Sequence, residues 1–155
     1  MKIIYIIGMG NLLMGDDGFG IRIIEELTMK PLPGEAILID GHYLGITSIP
    51  EIEKNNKIIF IDAVKSGLPP GSLSKYHYTD LALNTIKPVS LDQLTIFDFI
   101  DFYKEKIDPS NITIIGIEPK IITNRIGLSP EIEAKISETV NMIMNEIENY
   151  LNMQN

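Results

Sequence analysis

Cysteine is absent from the 155 residues. Disulfides are therefore excluded, as is any thiolate nucleophile or thiolate metal ligand. The absence fits a reducing compartment. Histidine occurs twice, as His42 and His77, and no His-x-x-x-His zinc spacing exists. The Gly-x-Ser-x-Gly nucleophile elbow is missing too. No apolar run is long enough to span a bilayer, and the apolar start Ile3–Ile7 is too short for a signal-peptide core. Basic residues are outnumbered, 13 Lys and Arg against 21 Asp and Glu. The resulting net charge of -8 argues against nucleic acid or an anionic membrane as partner. It suits a cation, or a basic or metal-loaded protein surface. The expectation is a soluble, cytoplasmic monomer.

What is present reads as one globular domain over residues 1–155. The length allows a sizeable core, and 45% hydrophobic with 22% charged residues is an ordinary balance for such a domain. Strand candidates are Ile3–Ile7, Ala36–Ile39, Ile58–Ile61 and Ile112–Ile117. They are continuous and β-branched rather than alternating, as strands covered on both faces should be. Helical stripes lie between them. Phe19, Ile23 and Leu27, with Ile24 beside them, form the first. Ile96, Ile100, Tyr103 and Ile107 form another. Ile132, Ile136, Val140, Ile143, Ile147 and Leu151 predict one long C-terminal helix. Ser129-Pro130-Glu131 opens it with a cap residue, a proline in the first turn and an acid near the positive end. Ser72–Tyr78 alternates loosely and reads as an antiparallel edge strand, and Asn84–Ser90 as a mobile loop around Pro88. The order β-α-β-α-β-β-α-β-α predicts a three-layer α/β/α sandwich with a mostly parallel sheet and one antiparallel edge strand.

The chemistry should sit at the carboxyl ends of the strands, where strand order reverses. Gly8-Met9-Gly10-Asn11-Leu12-Leu13-Met14-Gly15-Asp16-Asp17-Gly18-Phe19-Gly20 follows the first strand like a phosphate-binding turn. Such a turn aims backbone N–H groups and a positive helix end at a phosphate. Asp16 and Asp17 would repel that phosphate and welcome a cation or a shared proton. Further acids follow the other strands: Asp40, Asp62 and Glu118. A 2-1-3 strand order would bring Asp17 and Asp62 face to face, where two carboxylates need a proton or a cation between them. Each acid also has a plainer reading. Asp16 is placed to cap the first helix, and Asp62 to cap the turn after its strand. Asp40-Gly41 reads as a turn dipeptide, and Glu118, before Pro119, as a solvated loop acid. His42 lies near the crevice, and His77 reads as a surface residue.

The loop Gly8–Gly20, together with Asp40-Gly41, Ile61-Asp62-Ala63 before Pro70-Gly71, Gly116-Ile117-Glu118-Pro119 and Ile126-Gly127-Leu128-Ser129-Pro130, resembles the nickel-iron hydrogenase maturation endopeptidases along nearly the whole chain. The resemblance implies removal of a C-terminal extension from the hydrogenase large-subunit precursor after nickel insertion. It implies Asp17 and Asp62 as catalytic and metal-contacting residues, and nickel, supplied by the precursor, as the metal. The family's third contact is a histidine in a Ser-x-His stretch. Here the stretch is Ser90-Leu91-Asp92, so Asp92 takes that position. Either Asp92 supplies an oxygen ligand or His42 swings in. Carboxylates suit harder ions than nickel, so weak nickel affinity of the free protein is expected. Two other functions stay open at this point: a metal-binding maturation chaperone that does not cleave, and a nucleotide-binding regulatory module built on Gly8-x-Gly10.

Overall fold

The computed structural model describes residues 2–42, 49, 52–81, 87–88 and 95–153. The strands are β1 (Ile3–Gly8), β2 (Glu35–Asp40), β3 (Lys57–Lys65), β4 (Leu73–His77), β5 (Lys87–Pro88) and β6 (Ile112–Ile117). The helices are α1 (Phe19–Leu27), α2 (Tyr78–Leu81), α3 (Ile96–Tyr103), α4 (Pro130–Glu133) and α5 (Ile136–Asn152). Short 3-10 turns cover Gly15–Gly18 and Pro109–Asn111. The main sheet runs β2-β1-β3-β6-β4. Its first three pairings are parallel, and β4 adds antiparallel to β6 at the edge. The 2-1-3 order expected from the sequence is therefore the observed one. The segment between β2 and β3, where the predicted order places a helix, includes 43–48, 50 and 51, which lie outside the described residues, as does Asp92.

Period-two alternation of apolar residues builds the two outer layers. Ile4 and Ile6 of β1, Ile59 and Ile61 of β3, and Ile115 and Ile117 of β6 face α1 and α5. Tyr5 and Ile7, Ile58 and Phe60, and Ile112 and Ile114 face α3. This is why the strands read as unbroken apolar runs: each face has its own helix layer. Among the described residues, no helix is long and apolar enough to cross a membrane.

The structure departs from the sequence reading in three places. The long C-terminal helix is broken: α4 stops at Glu133 and α5 starts at Ile136. The spacing from Ile132 to Ile136 hides the break, because both residues still point into the same core. Ser129 has cap-like backbone angles but its side chain does not cap α4; a distant acid has recruited it. Finally, the stretch read as a loop contains β5, which pairs antiparallel with Val64 and Lys65 of β3. β3 is thus longer than its apolar run, because its last two residues find a partner beyond the parallel sheet.

A charged cluster is buried at the amino edge of the sheet. Lys57 Nζ lies 2.8 Å from Glu146 Oε1 and donates to Thr113 Oγ1 at 2.7 Å. Thr113 Oγ1 in turn donates to Glu146 Oε1 at 2.8 Å, and Lys75 reaches Glu146 Oε2 at 3.3 Å. Burial alone would raise the Glu146 carboxyl. Hydrogen bonds from Lys57 and Thr113, and the charges of Lys57 and Lys75, win and lower it from 4.5 to about 2. The folded value lies below the unfolded one, so the contribution is present above pH 4.5 and is lost as pH falls toward about 2. Glu146→Ala strands a buried lysine and is expected to cost about 3–5 kcal/mol of unfolding free energy. Urea unfolding of the wild type and Glu146→Gln should show a wild-type advantage at about pH 7 that shrinks at about pH 3. An equal gap at both would remove Glu146 from the acid response.

Candidate active site

Three strand ends meet at the carboxyl edge. Gly8 of β1 stands opposite Asp40 of β2 on one side and Ile61 of β3 on the other. Asp62 follows Ile61 directly and stands opposite Gly116 of β6. The turn leaving β1 is laid against this edge by Met9 N–H, which donates to Ile61 O at 2.8 Å. Two glycines permit the approach. A side chain on Gly20 would meet Met9 O at 2.3 Å and Ile61 O at 2.4 Å. Gly10 has φ +120, and a Cβ there would lie 1.8 Å from Asp17 O. Glycine is therefore required by close packing of backbone on backbone, rather than by a phosphate.

The 3-10 turn carries Asp16 and Asp17 to opposite fates. Among the described residues, Asp17 Oδ1 is buried without a hydrogen-bond partner. Burial raises the Asp17 carboxyl above its usual value, opposed by the Asn11 amide and the charge of His42. Asp62, only 6% exposed, is raised well above its usual value by burial first and by the charge of Asp17 second, with the Ala63 amide opposing. The two carboxylates thus lie within each other's field, as the 2-1-3 order requires. His42, exposed on the turn after β2, borders the pair.

Asp16 is fully buried and does not cap α1. Its carboxylate accepts from Lys120 N at 2.9 Å, Ile121 N at 2.8 Å, Ser129 N at 2.6 Å and Ser129 Oγ at 2.9 Å. Burial alone would raise this carboxyl, but these hydrogen bonds prevail and lower it. Glu118 is not a solvated loop acid. It is buried and accepts from the Ser66 amide and hydroxyl, both at 2.7 Å, tying the turn after β3 to the end of β6. Asp40 Oδ1 accepts from His42 N at 2.9 Å, the local turn expected of Asp40-Gly41. His77 is exposed in β4. The links from Asp16 to Ser129 and from Glu118 to Ser66 have no sequence signal, since each joins residues far apart in the chain.

A buried carboxylate pair with an orphaned oxygen calls for a proton or a cation. Asp17 and Asp62 fit the role of oxygen ligands. Among the described residues, no group of three His, Cys, Asp or Glu side chains is placed to hold a metal ion.

Comparison with known proteins agrees with this layout. A family model described as hydrogenase maturation protease matches residues 21–146, beginning just after the acidic turn. A Methanocaldococcus jannaschii protein named a hydrogenase maturation protease is 33% identical, over 94% of this chain and 97% of its own. The hydrogenase 2 maturation protease of Escherichia coli is 28% identical, over 91% of this chain and 88% of its own. The solved structure of the E. coli hydrogenase maturating endopeptidase HybD superposes with a TM-score of 0.78 at 26% identity, covering 96% of this chain and 93% of that one. The α/β sandwich with acids at its carboxyl edge is thus the scaffold of a peptidase, a hydrolase of amide bonds. The chain belongs to the hydrogenase maturation protease family.

The buried pair has a consequence for stability. The folded value of Asp62 is raised, so the folded state binds the proton more tightly than the unfolded chain does. Stability is full below the unfolded value of 3.8 and falls as pH rises through the folded value. Asp62→Asn keeps the shape and removes the charge. It should melt higher than the wild type at neutral pH, by about 2–4 °C for each kcal/mol relieved, and the gain should vanish in acid. Melting curves across pH check this; a variant that melts lower at every pH would contradict the burial argument.

Proposed function

We propose that this chain removes the C-terminal extension from the large-subunit precursor of a nickel-iron hydrogenase after nickel has been inserted. The observation that carries the reading is the Asp17–Asp62 pair, two buried acids within each other's field, with Asp17 Oδ1 lacking a hydrogen-bond partner among the described residues, on a chain of the hydrogenase maturation protease family. Nickel arrives as part of the substrate, held by thiolates of the precursor. That suits a protease without a cysteine of its own. The precursor's metal brings positive charge to the pair, so the pair reads whether the precursor has been loaded. A carboxylate of the pair then serves as general base. It takes a proton from water, the water oxygen adds to the scissile carbonyl, and the C–N bond breaks as the proton passes to the leaving amine.

Asp92 is proposed as the third contact. It follows Pro88 by four residues, and Pro88 pairs with Val64, two residues beyond Asp62. His42, already within the field of Asp17, is the alternative.

Incubation with nickel-loaded and nickel-free precursor, read by intact mass, tests the function. Cleavage of the loaded form alone is expected. Asp17→Ala and Asp62→Ala should each lower kcat/KM by at least about 100-fold while staying folded. Binding of the precursor without release of a fragment would instead make the protein a non-cleaving maturation chaperone. For the third contact, Asp92→His should tighten nickel binding by about 10-fold or more, equivalent to about 1.4 kcal/mol. Calorimetric titration of the free proteins reads this directly, and an unchanged affinity would pass the role to His42.

A further inference from the structure

We propose that Asp16 is the positioning residue of the site, clamping the segment 120–129 onto the acidic turn so that Asp17 is held facing Asp62. The proposal rests on the proteolytic reading above for what Asp17 does, and on geometry alone for what Asp16 does. Adjacent residues of a 3-10 turn project about 120° apart, so one turn can aim one acid outward to the loop and the next inward to the sheet. The outward acid is saturated: three backbone amides and one hydroxyl, from Lys120, Ile121 and Ser129, converge on the two oxygens of Asp16. The inward acid leaves Oδ1 without a hydrogen-bond partner among the described residues.

The clamp is reinforced from the backbone. Asp16 N–H donates to Ile121 O at 2.9 Å, Gly15 N–H to Arg125 O at 2.7 Å, and Arg125 N–H to Leu13 O at 3.1 Å. Met14 and Arg125 form a parallel bridge. Gly15 lies so close to Ile121 O that a Cβ there would sit 2.7 Å from it. On the inner side, Asp17 is pinned by its own backbone, with N–H donating to Met14 O at 3.3 Å and O accepting from Asn11 N at 3.1 Å. A buried carboxylate with an unsatisfied oxygen would turn toward any donor within reach if its turn were free to rotate. Saturating its neighbour stops the turn from rotating. Asp16 thus acts through Asp17 and touches no reacting atom.

Asp16→Asn offers one acceptor oxygen where the clamp uses two, and turns an NH2 group toward amide donors. Ser129→Ala removes a single donor, and Ser129→Thr keeps the hydroxyl. Two measurements on the full-length protein test the proposal. The first is hydrogen exchange of the free protein, which needs no substrate. Asp16→Asn should accelerate exchange at Asp17 and Gly18 while amides of β1 and β3 keep their protection. Unchanged exchange at Asp17 and Gly18 would overturn the clamp whatever the protein cleaves. The second is steady-state processing of nickel-loaded precursor. Asp16→Asn should lower kcat by about 100-fold, the scale of a 1 Å misplacement, with KM within about threefold of wild type. Ser129→Ala should lower kcat by about 10-fold, and Ser129→Thr should recover most of it. A folded Asp16→Asn with normal kcat, or a raised KM at normal kcat, would overturn the positioning role. If Asp16→Asn fails to fold, the Ser129 pair decides on the same terms. A wild type that shows the expected exchange pattern but cuts no precursor would sink the proteolytic reading and leave the clamp standing.

Discussion

Two carboxylates buried within each other's field cannot both stay charged without a counter-ion. That constraint organises the carboxyl edge of this protein. Asp62 interrupts an apolar run in a central strand, between Ile61 and Ala63, so its burial follows from the core itself. Asp17 is brought to it by a turn that glycines allow to pass within touching distance of the β3 backbone. A surface pair of acids would be screened and solvated. Here the penalty is retained, and in the function proposed above it is what an arriving positive charge would relieve. The cost in stability is of the kind found at sites built for function rather than for packing.

The opposite edge of the sheet handles buried charge in the other way. Lys57, Thr113, Lys75 and Glu146 pair with one another there. β3 joins the two regimes, beginning at Lys57 and reaching Asp62, opposite Gly116 of β6, five positions later.

Much of this was legible from the residues. The strands could be read because each is covered on both faces, which leaves an unbroken apolar run in the chain. The pairing of the first loop with Asp62 followed from the position of acids after successive strands and one topological rule. Other features left no trace. Asp16 and Asp17 are chemically identical neighbours, and only the turn geometry separates the saturated acid from the orphaned one. Ser129 has the local context of a helix cap, yet its hydroxyl is used 113 residues away. Glu118 beside Pro119 resembles a loop acid until Ser66, 52 residues earlier, closes on it. The break at 134–135 is invisible because the apolar spacing runs straight through it. Local patterns report local partners, and these contacts are all distant ones.

That distance bears on how the molecule comes into being. The acidic turn is made early in synthesis, as are β1, α1 and the strand that carries Asp62. The amides that hold Asp16 belong to residues 120, 121 and 129, more than a hundred positions later. Contacts of such separation close late, because the chain between them must first be ordered. A nascent chain can therefore assemble much of its sheet on the ribosome while its acidic turn is still unanchored. On the clamp proposed above, the geometry of the acidic turn is completed only once residues 120–129 have folded back onto it.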